Sequence, residues 1–440
     1  MRGTMTRIIE LGEKVRRFFL TPIRPKDPKT KAQKGVALIM VLVTLAVMSA
    51  TTHQFVYTSE INYASAKNSV SEIKAHYLAR SVINLTRLLL KVQDKVLDRN
   101  RAFLGDIQLT DFIQMLLPAF FGAGAGLLAG ALGVDSRDIH GLEYKKSYGK
   151  AMLEDITSED GKINVNCAYV RSDQDPQVIR LATGLMSLFS DTRYNMLFET
   201  ADETGNFNDR ETVTSAIIDY IDVDKAKFGQ ATAAEDYRYE TMADPYEAKN
   251  NIIDSVAELH LVRGVTDDFW ANFGPSFTIY GNCVPNLCAV PEENWVLVAS
   301  VLFQTAMDPQ DPVFRDPVRL RALSKAVLQQ VKFSGCNDLN LFVTAAKQPV
   351  PLTQLMGMGT QSEPAATGEE SEYYVGNLQG IDLDPQKVTG SVYMGPRRIY
   401  RLVALGQVGR VTKRIIAVWD QQFRSPSTGQ LGGYVYWREE

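Results

Sequence analysis

KGVALIMVLVTLAVMSA, residues 34–50, is the stretch that decides how this chain folds and where it resides. From Val36 to Ala50 it carries no charge, and weaker apolar character continues to Tyr57. A helix needs about 20 mostly apolar residues to cross a bilayer, so this segment is of membrane length. We predict that it opens a helix that spans a membrane.

A strongly basic leader precedes this apolar segment. Residues 1–35 hold ten Lys or Arg and three Asp or Glu, a net charge of +7. Lys and Arg beside an apolar span are retained on the cytoplasmic side of the membrane. Everything after about residue 58 is therefore predicted to lie outside the inner membrane, as a periplasmic body on a single-pass anchor.

The apolar pattern does not stop at the end of the predicted span. Residues 51–97 contain neither Pro nor Gly, and apolar side chains recur at steps of four and three: Leu78, Val82, Leu85, Leu89, Val92 and Val96. This spacing puts them on one face of a helix. We predict a single helix over 36–97 whose first half lies in lipid and whose second half offers an apolar stripe to the protein. A conventional signal anchor that contains Gly35 by chance is the alternative.

The leader ending at Lys34-Gly35, followed by an apolar stretch that opens a long helix, resembles the class III signal of type IV pilins and type II secretion pseudopilins. The resemblance implies that prepilin peptidase cleaves after Gly35 and that the new terminus, Val36, is methylated. Most members carry Glu at the fifth mature position, where this chain has Met40. A carboxylate is costly in lipid unless it is paired, and the K class of pseudopilins typically lacks this Glu. The departure therefore favours the K class.

Three stretches farther along the chain resemble segments of the same class, in the same order. They are the strand–turn segment EDITSEDGKINVNC at 154–167, the Asp-rich helix end AIIDYIDVD at 216–224, and SVAELHLVRGV at 255–265. The resemblance implies a minor pseudopilin at the tip of a periplasmic pseudopilus, which initiates or caps assembly and serves the export of folded proteins across the outer membrane. Its implied partners are minor pseudopilins of the I and J classes, prepilin peptidase and inner-membrane components of the type II secretion system.

The order of predicted elements is a long helix, short strands, a block of helices and further strands. We predict an α+β fold in which a pilin-like N-terminal helix packs on a small antiparallel sheet, with a large all-α domain, SAM-like or helix-hairpin-helix-like, inserted into it. The predicted segments are the basic leader 1–35, the transmembrane and spine helix 36–97, an apolar Gly-rich insertion 98–140, the first strands 141–168, the helical domain 169–346, a loop 347–372, and the C-terminal strands 373–440, which include strands at 373–379, 391–407 and 411–420.

One uncharged stretch within the insertion, residues 112–134, is long enough to be a second span. A second crossing would return the body to the cytoplasm, and Pro118 with three Gly at steps of four weakens that interpretation. A segment buried in protein or a loop, and an apolar patch that faces a membrane interface or a partner, are the other two interpretations.

Carboxylates cluster at the end of the Asp-rich segment. Asp219, Asp222 and Asp224 are followed, after a short loop, by Glu235 and Asp236. Hard oxygen ligands on a loop between helices suit calcium, which takes six to eight oxygens in a flexible geometry. K-class pseudopilins bind calcium in their helical domain, and the resemblance implies that this loop is the site. Solvated carboxylates of a helix end and a loop are the alternative.

Four cysteines, Cys167, Cys283, Cys288 and Cys336, suit disulfides in an oxidising compartment and allow three complete pairings. A bond from either Cys167 or Cys288 to Cys336 is one expectation. A structural zinc site is a further alternative.

No sequence signature of a nucleophile elbow, a P-loop or a zinc protease is present, and the four His are scattered. A net charge of −4 and the acidic residues around 259–265, a hairpin similar to that of nucleic-acid-binding modules, disfavour nucleic acid as a partner. We therefore expect a structural protein and not an enzyme. The rival functions are a minor pilin of a type IV pilus and a signal-anchored periplasmic calcium-dependent hydrolase.

Overall fold

The computed structural model describes residues 31–93, 97, 109–110, 113, 149–199, 207–230, 235, 239, 245–350, 378–424 and 431–440. The leader up to residue 30, the uncharged stretch 112–134 apart from Ile113, most of the predicted loop 347–372, and Asp236 lie outside the described residues. The chain divides into two units, residues 1–71 and 72–440.

The first unit contains the beginning of helix α1, which spans Lys31–Val92. Every side chain described between residues 37 and 70 is exposed; Leu38, Met40 and Phe55 are 59%, 64% and 74% exposed. Among the described residues, α1 is the one helix that is long and apolar enough to cross a membrane. The long helix is therefore present; its α-helical part ends at Val92, and Gln93 and Leu97 are π-helical.

In the second unit, the end of α1 packs on a four-stranded antiparallel sheet. In the order in which they lie across the sheet, its strands are β1 (Lys150–Ser158), β4 (Ile399–Val408), β5 (Val411–Arg424) and β6 (Leu431–Glu439). Val82 and Ile83 of α1 are fully buried in one core with Tyr400 and Leu402 of β4. Most of the predicted stripe faces this core, but Val92 is 42% exposed. The helix-on-sheet arrangement follows from period-3.6 and period-2 apolar patterns that meet face to face.

A glycine allows the helix to approach the sheet closely. A Cβ at Gly406 of β4 would lie 2.0 Å from the carbonyl oxygen of Ala75 and 2.8 Å from the backbone nitrogen of Ala79. Any other residue at this position would push α1 away from β4.

A separate body of helices lies between β1 and β4 in the sequence. It has its own core, which includes the fully buried Phe189, Phe269 and Phe273. Its helices are α2 (Pro176–Leu188), α3 (Asn195–Glu199), α4 (Arg210–Asp219), α5 (Asp267–Phe273), α6 (Trp295–Thr305), α7 (Pro317–Phe333), α8 (Leu339–Lys347) and α9 (Pro385–Ser391).

Asp-Pro pairs start several of these helices. Asp175, Asp316 and Asp384 each accept a hydrogen bond from a backbone amide in the first turn, and a Pro follows each of them. An aspartate at the N-cap satisfies amides that lack a partner within the helix, and Pro has no amide hydrogen to leave unsatisfied there.

Three predicted boundaries were wrong. The region 141–168 supplies one strand of the four-stranded sheet, because β2 (Ile163–Asn164) pairs instead with β3 (Phe277–Thr278) in a small parallel sheet of the helical body. Of the predicted strand 373–379, residues 378–379 are not in a strand, and the last strand of the sheet is β6. The helical body also extends past residue 346, since α9 packs against α6 and α8.

Candidate functional site

The predicted acidic loop starts at the C-terminal end of α4 and is tied together by its own carboxylates. The Oδ1 atom of Asp219 accepts a hydrogen bond from the backbone nitrogen of Phe228 at 2.9 Å, and Asp224 Oδ1 accepts one from that of Ala226 at 2.8 Å. Gly229 then turns the chain with a φ of +75°, a conformation that glycine adopts without strain. These bonds fold residues 219–229 back on themselves.

A residue that the sequence analysis missed, Asp173, completes the cluster. Its Oδ2 atom accepts a hydrogen bond from the amide of Gly229 at 2.9 Å. Single carboxylate oxygens of Asp173, Asp222 and Asp224 all lie within 4.8 Å of one another. Asp173 precedes α2, and the bond from the Val223 amide to the Val170 carbonyl brings its segment beside the loop. The sequence contains no motif or spacing that indicates that Asp173 lies beside the acidic loop.

Four of the five predicted carboxylates are described, and they share one electrostatic environment. Burial, together with the negative charges of Asp219, Glu235, Asp224 and Asp173, raises the pKa of Asp222 to about 8. Burial and repulsion from Asp219 and Asp224, which Lys225 partly offsets, likewise raise the pKa of Glu235 to about 8. The fifth, Asp236, lies outside the described residues.

Two buried carboxylate oxygens of the cluster have no hydrogen-bond partner among the described residues. Asp222 is 2% exposed, yet its Oδ1 atom has no hydrogen-bond partner among the described residues, and neither has the Oε1 atom of Glu235. Buried polar atoms without partners are costly and uncommon in folded proteins. The donor set is made of carboxylate oxygens, which fit a hard divalent cation such as calcium.

The strand–turn motif at 161–166 forms hydrogen bonds with segments of the helical body that are distant in the sequence. Asn164 donates a side-chain hydrogen bond to the carbonyl oxygen of Gly281 at 2.9 Å. The side chain of Asn166 accepts a hydrogen bond from the backbone nitrogen of Ile253 at 2.9 Å and donates one to the carbonyl oxygen of Ile253 at 3.0 Å. A Cβ at Gly161 would lie 2.5 Å from the backbone of Ala289. The Gly-Lys-Ile-Asn core is therefore a packing element.

The motif at 255–265 has a structural explanation as well. Ser255 and Glu258 form a capping box at the start of a short 3₁₀-helix. Gly264 has a φ of +84° and packs against the side chain of Val213. Arg263 donates its Nε–H to Asn208 at 2.8 Å, so this cation is held by the protein itself.

Both disulfides lie in the helical body. Cys167 is bonded to Cys283 and Cys288 to Cys336, with Cα–Cα distances of 5.6 and 5.9 Å. Of the two alternative bonds to Cys336 considered from the sequence, the structure contains Cys288–Cys336, and Cys167 pairs with Cys283. All four sulfurs are used, so they are not ligands of a zinc ion.

The predicted processing site lies on α1. Gly35 and Val36 fall within the first turns of this helix, and Met40 follows in its exposed apolar portion. These residues are separate in the sequence from the carboxylate cluster.

Comparisons with known proteins include matches to components of the type II secretion system. Residues 161–282 match the family model for "Type II secretion system (T2SS), protein K". Type II secretion system protein K of Pectobacterium carotovorum subsp. carotovorum is 28% identical over 138 residues, which are 31% of this chain. The chain thus spans 38% of the length of that relative.

A solved structure of low similarity comes from the same system. It is described as the crystal structure of the GspK-GspI-GspJ complex from the enterotoxigenic Escherichia coli type 2 secretion system. Its matching chain is 12% identical with a TM-score of 0.43, over 68% of this chain and 82% of that one. The matched domain, residues 161–282, includes the Gly-Lys-Ile-Asn core and the acidic loop. Over that domain the chain is similar to the type II secretion system protein K family, which confirms the resemblance identified in its sequence.

Proposed function

We propose that this protein is a minor pseudopilin at the tip of the type II secretion pseudopilus, where it initiates or caps assembly with pseudopilins of the I and J classes. The observation that carries the proposal is a protein K domain in a chain whose exposed apolar helix continues onto an antiparallel sheet. In this role the protein supports export of folded proteins across the outer membrane and performs no catalysis itself.

The exposed part of α1 supports the assembly role. Leu42, Leu45 and Met48 are 57%, 58% and 67% exposed. So much apolar surface is unfavourable in water and favourable in lipid or against other helices. Met40 adds no charge to this surface, so the subunit lacks the carboxylate that would pair with a neighbour's terminal amine. A subunit at the end of a fibre needs no such pairing.

The proposed location is the inner membrane, crossed once, with the body in the periplasm. The leader charge of +7 favours a cytoplasmic start. The two disulfides of the helical body suit an oxidising compartment. Prepilin peptidase would cleave between Gly35 and Val36, and methylation of Val36 would follow.

We also propose that the helical body binds calcium. Asp173, Asp222 and Asp224 supply the converging oxygens, and Asp219 and Glu235 supply negative charge around them. A divalent cation would neutralise carboxylates that otherwise repel one another, and its binding would release protons from Asp222 and Glu235.

The assembly role is tested on the full chain with a C-terminal tag, expressed together with a complete type II secretion system. We expect a mature amino terminus at methylated Val36 by mass spectrometry, and recovery of the I and J classes from cross-linked membranes. An intact leader, or cleavage near residue 50, would contradict the pseudopilin. Recovery of type IV pilus subunits alone would support the rival minor pilin.

The calcium proposal has its own test, with a matched control. Calcium titration by calorimetry should give binding to the wild type and to Glu247→Gln, which alters an exposed carboxylate outside the cluster. Asp222→Asn should weaken binding by at least about tenfold, because it removes a charged ligand. Equal affinities for Asp222→Asn and Glu247→Gln would exclude the cluster as the site.

A further inference from the structure

A second site lies between the sheet and the helical body. It is a cavity of about 290 Å³ on the face of the sheet opposite α1. Its polar wall contains Lys162 and Arg401, and its aromatic wall contains Trp270, Tyr280 and Tyr436. Lys162 comes from the strand–turn motif, for which the proposed function gives no use beyond packing.

The sheet register puts two of these residues side by side. Arg401 of β4 pairs with Val418 of β5, and Val418 pairs with Tyr436 of β6. Residues directly opposite one another in neighbouring strands share a face of the sheet. Arg401 and Tyr436 therefore lie on one face, separated by a buried valine.

A buried carboxylate positions both cations. Glu159 is 0% exposed; its Oε1 atom lies 2.6 Å from Arg401 Nε and 3.1 Å from Lys162 Nζ, and its Oε2 atom accepts a 2.6 Å hydrogen bond from Thr278. Burial would raise the pKa of Glu159, but the two cations and these hydrogen bonds hold it below its ordinary value. Two positive charges thus face one negative charge, which leaves an excess of +1 on this wall.

Most N–H donors of Arg401 make no hydrogen bond to the described residues. A guanidinium group has five N–H donors. Within the part of the chain that the structure describes, Arg401 uses its Nε–H on Glu159, and its two terminal NH₂ groups make no hydrogen bond. Its side chain is 30% exposed, so these groups are accessible from the cavity.

The acidic side chain at the rim of the cavity, Asp254, already has a partner. Asp254 and Glu258 both lie against Lys249, at 2.9 and 2.7 Å. The Asp254 side chain is 86% exposed, so its field is screened by water and salt. The cations of the wall are 15% and 30% exposed and are screened less. An incoming anion therefore meets attraction inside the cavity.

We infer that this cavity binds an acidic side chain presented by a partner polypeptide, with its carboxylate on Arg401 and Lys162 and its neighbouring residue against Trp270, Tyr280 and Tyr436. A volume of about 290 Å³ is at the lower limit for small-molecule sites, so it holds one or two side chains and not a larger cofactor. The paired N–H groups of Arg suit the two oxygens of a carboxylate. The inference does not rest on the proposed tip position, because the binding is a property of the protein alone.

The test measures binding of two labelled peptides to the detergent-solubilised full chain by fluorescence anisotropy. The probes are acetyl-Ala-Glu-Phe-Ala-amide and its glutamine counterpart. We expect the Glu peptide to bind about tenfold more tightly, since charge-assisted hydrogen bonds are the stronger ones. This preference should shrink at high salt because the attraction is electrostatic.

Arg401→Lys is the informative variant. Arg401→Gln would leave Glu159 with a single cation in a buried site and could unfold the protein, whereas Arg401→Lys keeps that charge and removes the free NH₂ groups. We expect Arg401→Lys to lose most of the preference for the Glu peptide. Arg410→Lys, at an exposed arginine next to β5, is the matched control and should bind as the wild type does.

Four results would overturn the inference. The first three are equal affinity for the Glu and Gln peptides, absence of binding by both, and identical behaviour of Arg401→Lys and Arg410→Lys. Free acetate that competes as strongly as the Glu peptide would assign the site to small anions and would exclude a partner polypeptide. Trp270→Leu provides a further check, since it should weaken both peptides alike while leaving the Glu preference in place.

Discussion

Raising the pH of the calcium-free protein from about 5 to about 7 should destabilise it. Asp222 and Glu235 each have a pKa of about 8 in the folded protein, against about 4 in the unfolded chain. The folded state therefore holds protons in this window that the unfolded chain has released. Stability falls with rising pH when the folded state binds more protons, by about 1.4 kcal/mol per pH unit for each proton.

The substitution Asp222→Asn removes one of the two carboxyl groups whose titration causes this pH dependence. Asparagine has a shape similar to that of the protonated aspartate and does not titrate, so it stays neutral beside Asp219, Glu235 and Asp224 at every pH. The loss of unfolding free energy between pH 5 and pH 7 should be smaller than in the wild type by about 2.7 kcal/mol. Without calcium at pH 7 the variant should thus be more stable than the wild type, and calcium should stabilise it less.

The assay is urea unfolding of the detergent-solubilised protein in the presence of a chelator, followed by fluorescence of the four tryptophans, which lie between residues 270 and 437. Glu247→Gln is the control and should keep the pH dependence of the wild type. The reasoning fails if stability rises from pH 5 to pH 7, or if Asp222→Asn and the wild type have the same slope.

Two further substitutions test the packing of the body by the same unfolding assay. Gly406→Val should destabilise the body by about 3 kcal/mol, because the new Cβ would lie 2.0 Å from the Ala75 carbonyl oxygen. The control is Gly184→Ala in α2, where a new Cβ would have nothing within 4 Å; it should change stability by less than about 1 kcal/mol. Equal effects of the two substitutions would contradict the close helix–sheet contact. Replacing both Cys288 and Cys336 with Ala should lower the free energy of unfolding by about 4 kcal/mol, since their bond closes a loop with a sequence separation of 48. A double variant as stable as the wild type under oxidising conditions would show that this bond does not form.

The elements predicted well from sequence are those with a long local pattern. Helix α1 follows from an uninterrupted helical periodicity that contains neither Gly nor Pro from Val36 onward, and β4 and β5 follow from alternating apolar residues. β6 lacks such a pattern, because its start is Leu-Gly-Gly. It becomes a strand through pairing with β5 and through the contact of Tyr434 with Trp419, whose ring centroids lie 5.0 Å apart.

The sequence by itself determined the long apolar helix, its basic leader, the helix-on-sheet fold class and the acidic segment that begins at Asp219. Only the tertiary structure decided that Asp173 joins this segment, that Cys167 pairs with Cys283, and that Arg401 stands beside Glu159. Residues that are close in the chain are brought together by the regular geometry of a helix or strand, so their contacts are recognisable as a periodic pattern in the sequence. Residues 46 to 242 positions apart meet only after two cores have packed, and no local pattern records which of them will be neighbours.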